Sequence, residues 1–120
     1  MNKDNIKKKL DTLVFPIFTP DASKPPETYD KVYMPILEKI GVKTINDVDI
    51  LRFAVQDKIL EMQQEIQAKA LKDFASGKLK DISEAPLYRD NGVIRNIPDS
   101  FAPWLSFMVW LNERRTVIFK

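Results

Sequence analysis

The 120-residue chain has no cysteine and no histidine, and only three glycines. Without cysteine there is no disulfide framework, no thiolate nucleophile and no Cys-bearing metal site. Without histidine the commonest general base and the usual transition-metal ligand are gone, and zinc centres and Ser-His-acid triads go with them. An excess of charge is also missing. Nineteen Lys and Arg stand against 17 Asp and Glu, for a net charge of +2, less than a dedicated nucleic-acid binder carries to neutralise several phosphates. No apolar run approaches the about eighteen residues that a bilayer span needs, and the N-terminal stretch has too short an apolar core for a signal peptide. These absences predict an intracellular protein, cytoplasmic or virion-associated, without a transmembrane segment.

What is present is a core's worth of apolar residues, 44% against 30% charged, the balance of a folded chain rather than a disordered one. Its patterning predicts a mainly α fold, one helical domain over 1–120 with a Pro-rich connector at 16–26. The organising stretch is a helix over about 49–76. Leu51, Val55, Ile59, Met62, Ile66 and Ala70 recur at spacings of three and four, the mark of a buried stripe. Phe53, Leu60, Leu71 and Phe74 form a second line beside it. Together the two lines cover more than half the circumference and predict packing on at least two sides, with Asp57, Glu61, Glu65 and Lys72 on a wet face.

The remaining elements follow from local signals. A short helix between Asn2 and Phe15 is expected to bury Ile6, Leu10, Leu13 and Val14, capped by Asn2 or Asp4. Ile17 and Phe18 are expected to pin the connector. A second helix spans about Pro26 to Ile40, kinked or split at Pro35 and closed by Gly41. Thr44 and Asp47 have the spacing of a capping box. They predict a helix of one or two turns, followed by a corner and a fresh start at Asp49. Asp90-Asn91-Gly92 between short apolar runs predicts a hairpin at 87–97. Asp99 or Ser100, with Pro103 close behind, opens a last helix that is apolar all round from Trp104 to Leu111. Thr116 to Lys120 is a strand-prone tail, and with Ile17-Phe18 and the hairpin it is expected to complete a small sheet.

Three groups bear on function. Asp57, Glu61 and Glu65 rise at four-residue steps, but such a row binds Mg²⁺ or Ca²⁺ only when a second element adds oxygen ligands, and none is visible. The expectation is therefore a protein that is not an enzyme, with no catalytic residues, no metal and no cofactor. The stretch from Leu37 to Val48 resembles the helix, Gly-containing corner and second helix of helix-hairpin-helix modules. It departs from them where the family has a second glycine, since Lys43 follows Val42 directly. That resemblance implies phosphate contacts at Gly41, Lys43 and Thr44, with Lys7 and Lys8 adding cations, and gives a nucleic-acid-binding alternative. The main functional expectation comes from the C-terminal third. Tyr88, Phe101, Trp104, Phe107, Trp110 and Phe119 crowd beside Arg89, Arg114 and Arg115, and protein interfaces favour this mixture. It predicts a non-catalytic interaction or assembly component of subunit, virion or inhibitor type, docking on another protein or on a second copy.

Overall fold

The computed structural model describes residues 2–15, 21 and 23–119. In chain order it contains α1 (Lys3–Asp11), a 3-10 turn (Pro26–Tyr29), α2 (Asp30–Ile40), α3 (Ile45–Ala75) and a second 3-10 turn (Ile82–Glu84). A hairpin of β1 (Tyr88–Asp90) and β2 (Val93–Arg95) and the last helix α4 (Ala102–Ile118) complete it. Most of the expected connector at 16–26, including Ile17 and Phe18, lies outside the described residues.

The helices begin where side chains can satisfy free amides. The Asn2 side chain accepts from the amide of Asn5 at 2.9 Å and starts α1. α2 runs unbroken through Pro35, which is exposed, rather than splitting there. Gly41, at φ 92°, closes it in the left-handed conformation that a side chain resists. Thr44 accepts from the amide of Asp47, and the Asp47 carboxylate returns to the amides of Thr44 and Lys43. This capping box opens α3 directly. The expected corner at Asp49 does not exist: no glycine or proline interrupts Ile45 to Ala75, so the helix has no reason to restart.

α3 is the spine, 31 residues long. Its inward face carries Val48, Leu51, Val55 and Ile59, which join Ile6 and Leu10 of α1, Tyr33 and Leu37 of α2, and Phe107 and Leu111 of α4 in one core. The second apolar line behaves otherwise. Phe53, Leu60, Leu71 and Phe74 remain 61%, 55%, 65% and 47% exposed. The expected burial of this second line is corrected accordingly, because α1 and α4 cover the stripe and the charged edge of α3 and leave the line outside. The face expected to be wet is partly covered. Lys3 pairs with Asp57, Lys7 with Glu61 at 2.7 Å, and Lys58 with Asp11 at 2.9 Å, so α1 is held along α3 by charge as well as by Ile6 and Leu10.

The hairpin forms where the turn chemistry puts it. Asn91 and Gly92 both have positive φ, at 50° and 81°, as a two-residue turn between right-twisted strands requires. Tyr88 pairs with Arg95 and Asp90 with Val93. Among the described residues this is the only sheet. The tail expected to join it is helical instead, since α4 continues to Ile118. Tertiary contacts override strand propensity there: Ile118 and Phe119 pack against the core and Arg115 is anchored to α3.

Candidate docking surface

The C-terminal aromatics meet in the middle of the molecule. Phe101, Trp104, Phe107 and Trp110 are all buried, and Tyr33 of α2 stacks on Phe107 with ring centroids 5.0 Å apart. Phe15 meets Trp104 edge-on at 5.0 Å. Burial pushes the Tyr33 phenol up to about 12, so it stays protonated and donates towards the carbonyl of Pro103. The face of α4 that carries Trp104, Phe107, Trp110 and Leu111 is thus satisfied within the chain, while the opposite face leaves Val109 exposed and Leu105 half-buried.

The arginines beside them seal α4 to its neighbours. Arg114 grips Asp30 with two hydrogen bonds, 3.1 and 2.8 Å, and the Trp110 indole N–H donates to the same carboxylate at 2.8 Å. One residue further on, about 100° round the helix, Arg115 holds Asp49 of α3 with two hydrogen bonds. Arg52 donates to that carboxylate at 3.3 Å and to Asn112 at 2.7 Å. Planar, bidentate pairs of this kind fix orientation as well as charge. The C-terminal aromatic cluster and its arginine ion pairs therefore fix α4 against α2 and α3. Of the nine residues expected to bind protein, Tyr88, Arg89 and Phe119 remain accessible in part or in full, as do parts of Arg114 and Arg115.

The Arg115 guanidinium holds the Asp49 carboxyl below its ordinary pKa. Because the folded value is depressed, the stabilisation is complete above the unfolded value of about 3.9 and is lost as pH falls through the folded one. Urea unfolding of the wild type and of Asp49→Ala is therefore expected to differ near neutrality and to converge in acid. A difference that persists unchanged below pH 3, on the order of one unit under that unfolded value, would mean that the pair does not carry it.

The groove nearest the hairpin has a volume of about 360 Å³ and lies between the second half of α3, the hairpin and the start of α4. Its floor includes Ala70, Leu87 and Phe101, all buried, and its walls include Leu71, Ile82 and Ile94, all at least one-third exposed. Tyr88 and Arg89 also line it. Leu87 has φ 59°, a left-handed conformation that is strained for a large side chain. Asn96, at φ 57°, straps the hairpin base down by donating to the carbonyls of Ser83 and Ala85, each at 2.9 Å. A second groove of about 480 Å³ lies across α4, and Leu105 borders both. Sequence reasoning missed Leu71, Ile82 and Ile94 as surface apolar groups. Leu71 had a signal, its place on the second apolar line of the long helix, whereas Ile82 and Ile94 are apolar residues of short segments without the periodicity that reveals a face.

The residues of the nucleic-acid alternative lie on α1 and at the corner between α2 and α3, where Lys9 of α1 donates to the carbonyl of Ile40 at 3.0 Å. Lys7 is engaged with Glu61, Lys8 is exposed on α1, and Gly41 serves as the cap of α2. The amides of Lys43 and Thr44, which an anion would need, already donate to Asp47 at 3.1 and 3.2 Å. Among the described residues no group of three His, Cys, Asp or Glu side chains is placed to hold a metal ion, and no helix is long and apolar enough to cross a membrane. Comparison with protein-family models, with curated proteins and with solved structures finds no match to this chain.

Proposed function

We propose that the protein is a non-catalytic assembly component whose work is to bind another protein, with the groove between α3, the hairpin and α4 as the contact. The observation that carries this reading is the groove's construction, a buried apolar floor with accessible apolar walls and an arginine on its lining. Partner side chains entering such a place are desolvated against a rigid floor, the condition under which a few residues dominate affinity. The strained Leu87 supports it, because strain of this kind persists where the surroundings over-determine a local shape. Arg89 favours a partner that carries a carboxylate beside its apolar anchors, an amphipathic segment with an acidic edge.

Peptide display against the intact protein tests the reading and requires no named partner. Selection is expected to enrich peptides that combine spaced apolar residues with an acid. Their affinity should fall about tenfold or more on Ile82→Glu or Ile94→Glu, the effect of losing a well-packed anchor. Absence of enrichment, or peptides indifferent to both substitutions, would contradict it.

A further inference from the structure

Asn91 and Gly92, the turn residues of the hairpin, are both exposed. Of Asn2, Asn5, Asn46, Asn91, Asn96 and Asn112, only Asn91 is followed by glycine. Asn2, Asn96 and Asn112 spend their side chains on hydrogen bonds, whereas among the described residues no such bond holds the Asn91 amide. A side chain added at Gly92 would meet nothing within 4 Å, so the flank of its backbone nitrogen is open. Positive φ at both positions fits the mirror image of a type I turn, in which Asn91 has ψ of about 30°. At that angle the Gly92 nitrogen lies across the Cα–C bond from the Asn91 side chain, and the two cannot react. An intact turn therefore protects the pair. Little holds the tip closed: strands of 3 residues, an exposed ion pair of Asp90 and Arg95 at 3.0 Å, and Val93 and Ile94 that are 57% and 36% exposed. Such a hairpin opens locally at small cost.

We propose that Asn91 is a site of spontaneous chemical modification, converted through opening of the hairpin tip into aspartate and isoaspartate, and that the isoaspartyl form keeps the tip open. In the open turn, hydroxide removes the Gly92 amide proton and the nitrogen attacks the side-chain carbonyl carbon of Asn91. A carbon to nitrogen bond forms and closes a succinimide ring. The bond to the side-chain nitrogen breaks, and ammonia leaves with a proton taken from water. Water then opens the ring. Cleavage beside the side-chain carbonyl gives aspartate, cleavage beside the main-chain carbonyl gives isoaspartate, and nothing is oxidised or reduced. Both products place a new carboxylate next to Asp90. Isoaspartate also adds a carbon to the main chain, and the lengthened tip cannot close the two-residue turn that pairs Asp90 with Val93. Arg89 and Ile94 face each other in that register and both line the groove. They lose their setting, so the modification weakens the contact proposed there, a consequence that rests on the binding reading above.

The test uses the full chain, held folded in mildly alkaline buffer and in parallel in urea. Peptide mapping is expected to find amide converted to acid at Asn91 well ahead of the other asparagines, with isoaspartate in excess. The rate should rise in proportion to hydroxide, and rise further in urea, where nothing closes the turn. Asn91→Gly keeps a residue that accepts positive φ and is expected to reduce ammonia release to background. In the modified chain the Val93 amide should exchange its hydrogen severalfold faster, while the far-ultraviolet dichroism of the helices stays unchanged. A folded chain whose Asn91 reacts no faster than its other asparagines, ammonia released equally from Asn91→Gly, or a modified chain that keeps the Val93 amide protected would overturn the proposal. None of these readouts involves a partner, so failure of the groove as a contact would leave the site standing.

Discussion

Replacing Trp110 with alanine is expected to destabilise the native state by about 3–5 kcal/mol, the range for removing a large aromatic from a packed core. Trp110 is 2% exposed, lies 5.3 Å from Tyr33 by ring centroid, and donates to the carboxylate that Arg114 also grips. The alanine variant thus leaves a void and removes one donor from a half-buried anion. Trp110→Phe separates the two effects. It keeps a ring in the cavity and is expected to cost less, with the loss of the indole N–H accounting for about 1–3 kcal/mol. Urea unfolding of the two variants checks this, and an alanine variant as stable as the wild type would place the indole outside the core.

The second large effect contrasts the two faces of α3. Leu51→Ala is expected to cost about 2–5 kcal/mol, because Leu51 is fully enclosed among Tyr33, Val55 and Phe107 in the core cluster and the cavity cannot collapse readily. Leu60→Ala, the same chemical change nine residues on, faces outward and is expected to stay within about 0.5 kcal/mol. Chemical denaturation of both measures the difference. Equal costs would mean that α3 is packed on both sides, as the width of its apolar arc alone implies.

That contrast shows where sequence reasoning reaches its limit. Local chemistry was legible: Asn2, Gly41, the Thr44 and Asp47 pair and Asn91-Gly92 each do what their side chains and conformational freedom dictate, and the long helix and hairpin follow from them. The choice between two apolar lines on one helix was not legible, since periodicity reports a line's direction and not whether anything covers it. The answer lies in α1 and α4, which dock around the stripe of Leu51 and Val55 and leave Phe53 and Leu60 outside.

The aromatic third is a case of the same kind. Large rings beside arginines describe an interface and a sealed core equally well, and the partner that distinguishes them, Asp30, stands 80 residues from Trp110 and 84 from Arg114. The tail from Thr116 has strand propensity, but propensity is weaker than the packing of Ile118 and Phe119 on the core and the neighbouring ion pair to Asp49. The groove was legible only in part, through Tyr88 and Arg89, because its apolar walls come from three segments brought together by the fold.

Whether the C-terminal aromatics are core, with the proposed binding left to the groove, is read most directly from the two tryptophans. They are Trp104 and Trp110, 6% and 2% exposed. Acrylamide quenching of their fluorescence in the free protein is expected to be weak, with blue-shifted emission that moves to the red only on unfolding. Strong quenching and red-shifted emission from the folded chain would put these rings on the surface, and would return the contact site to the C-terminal helix itself.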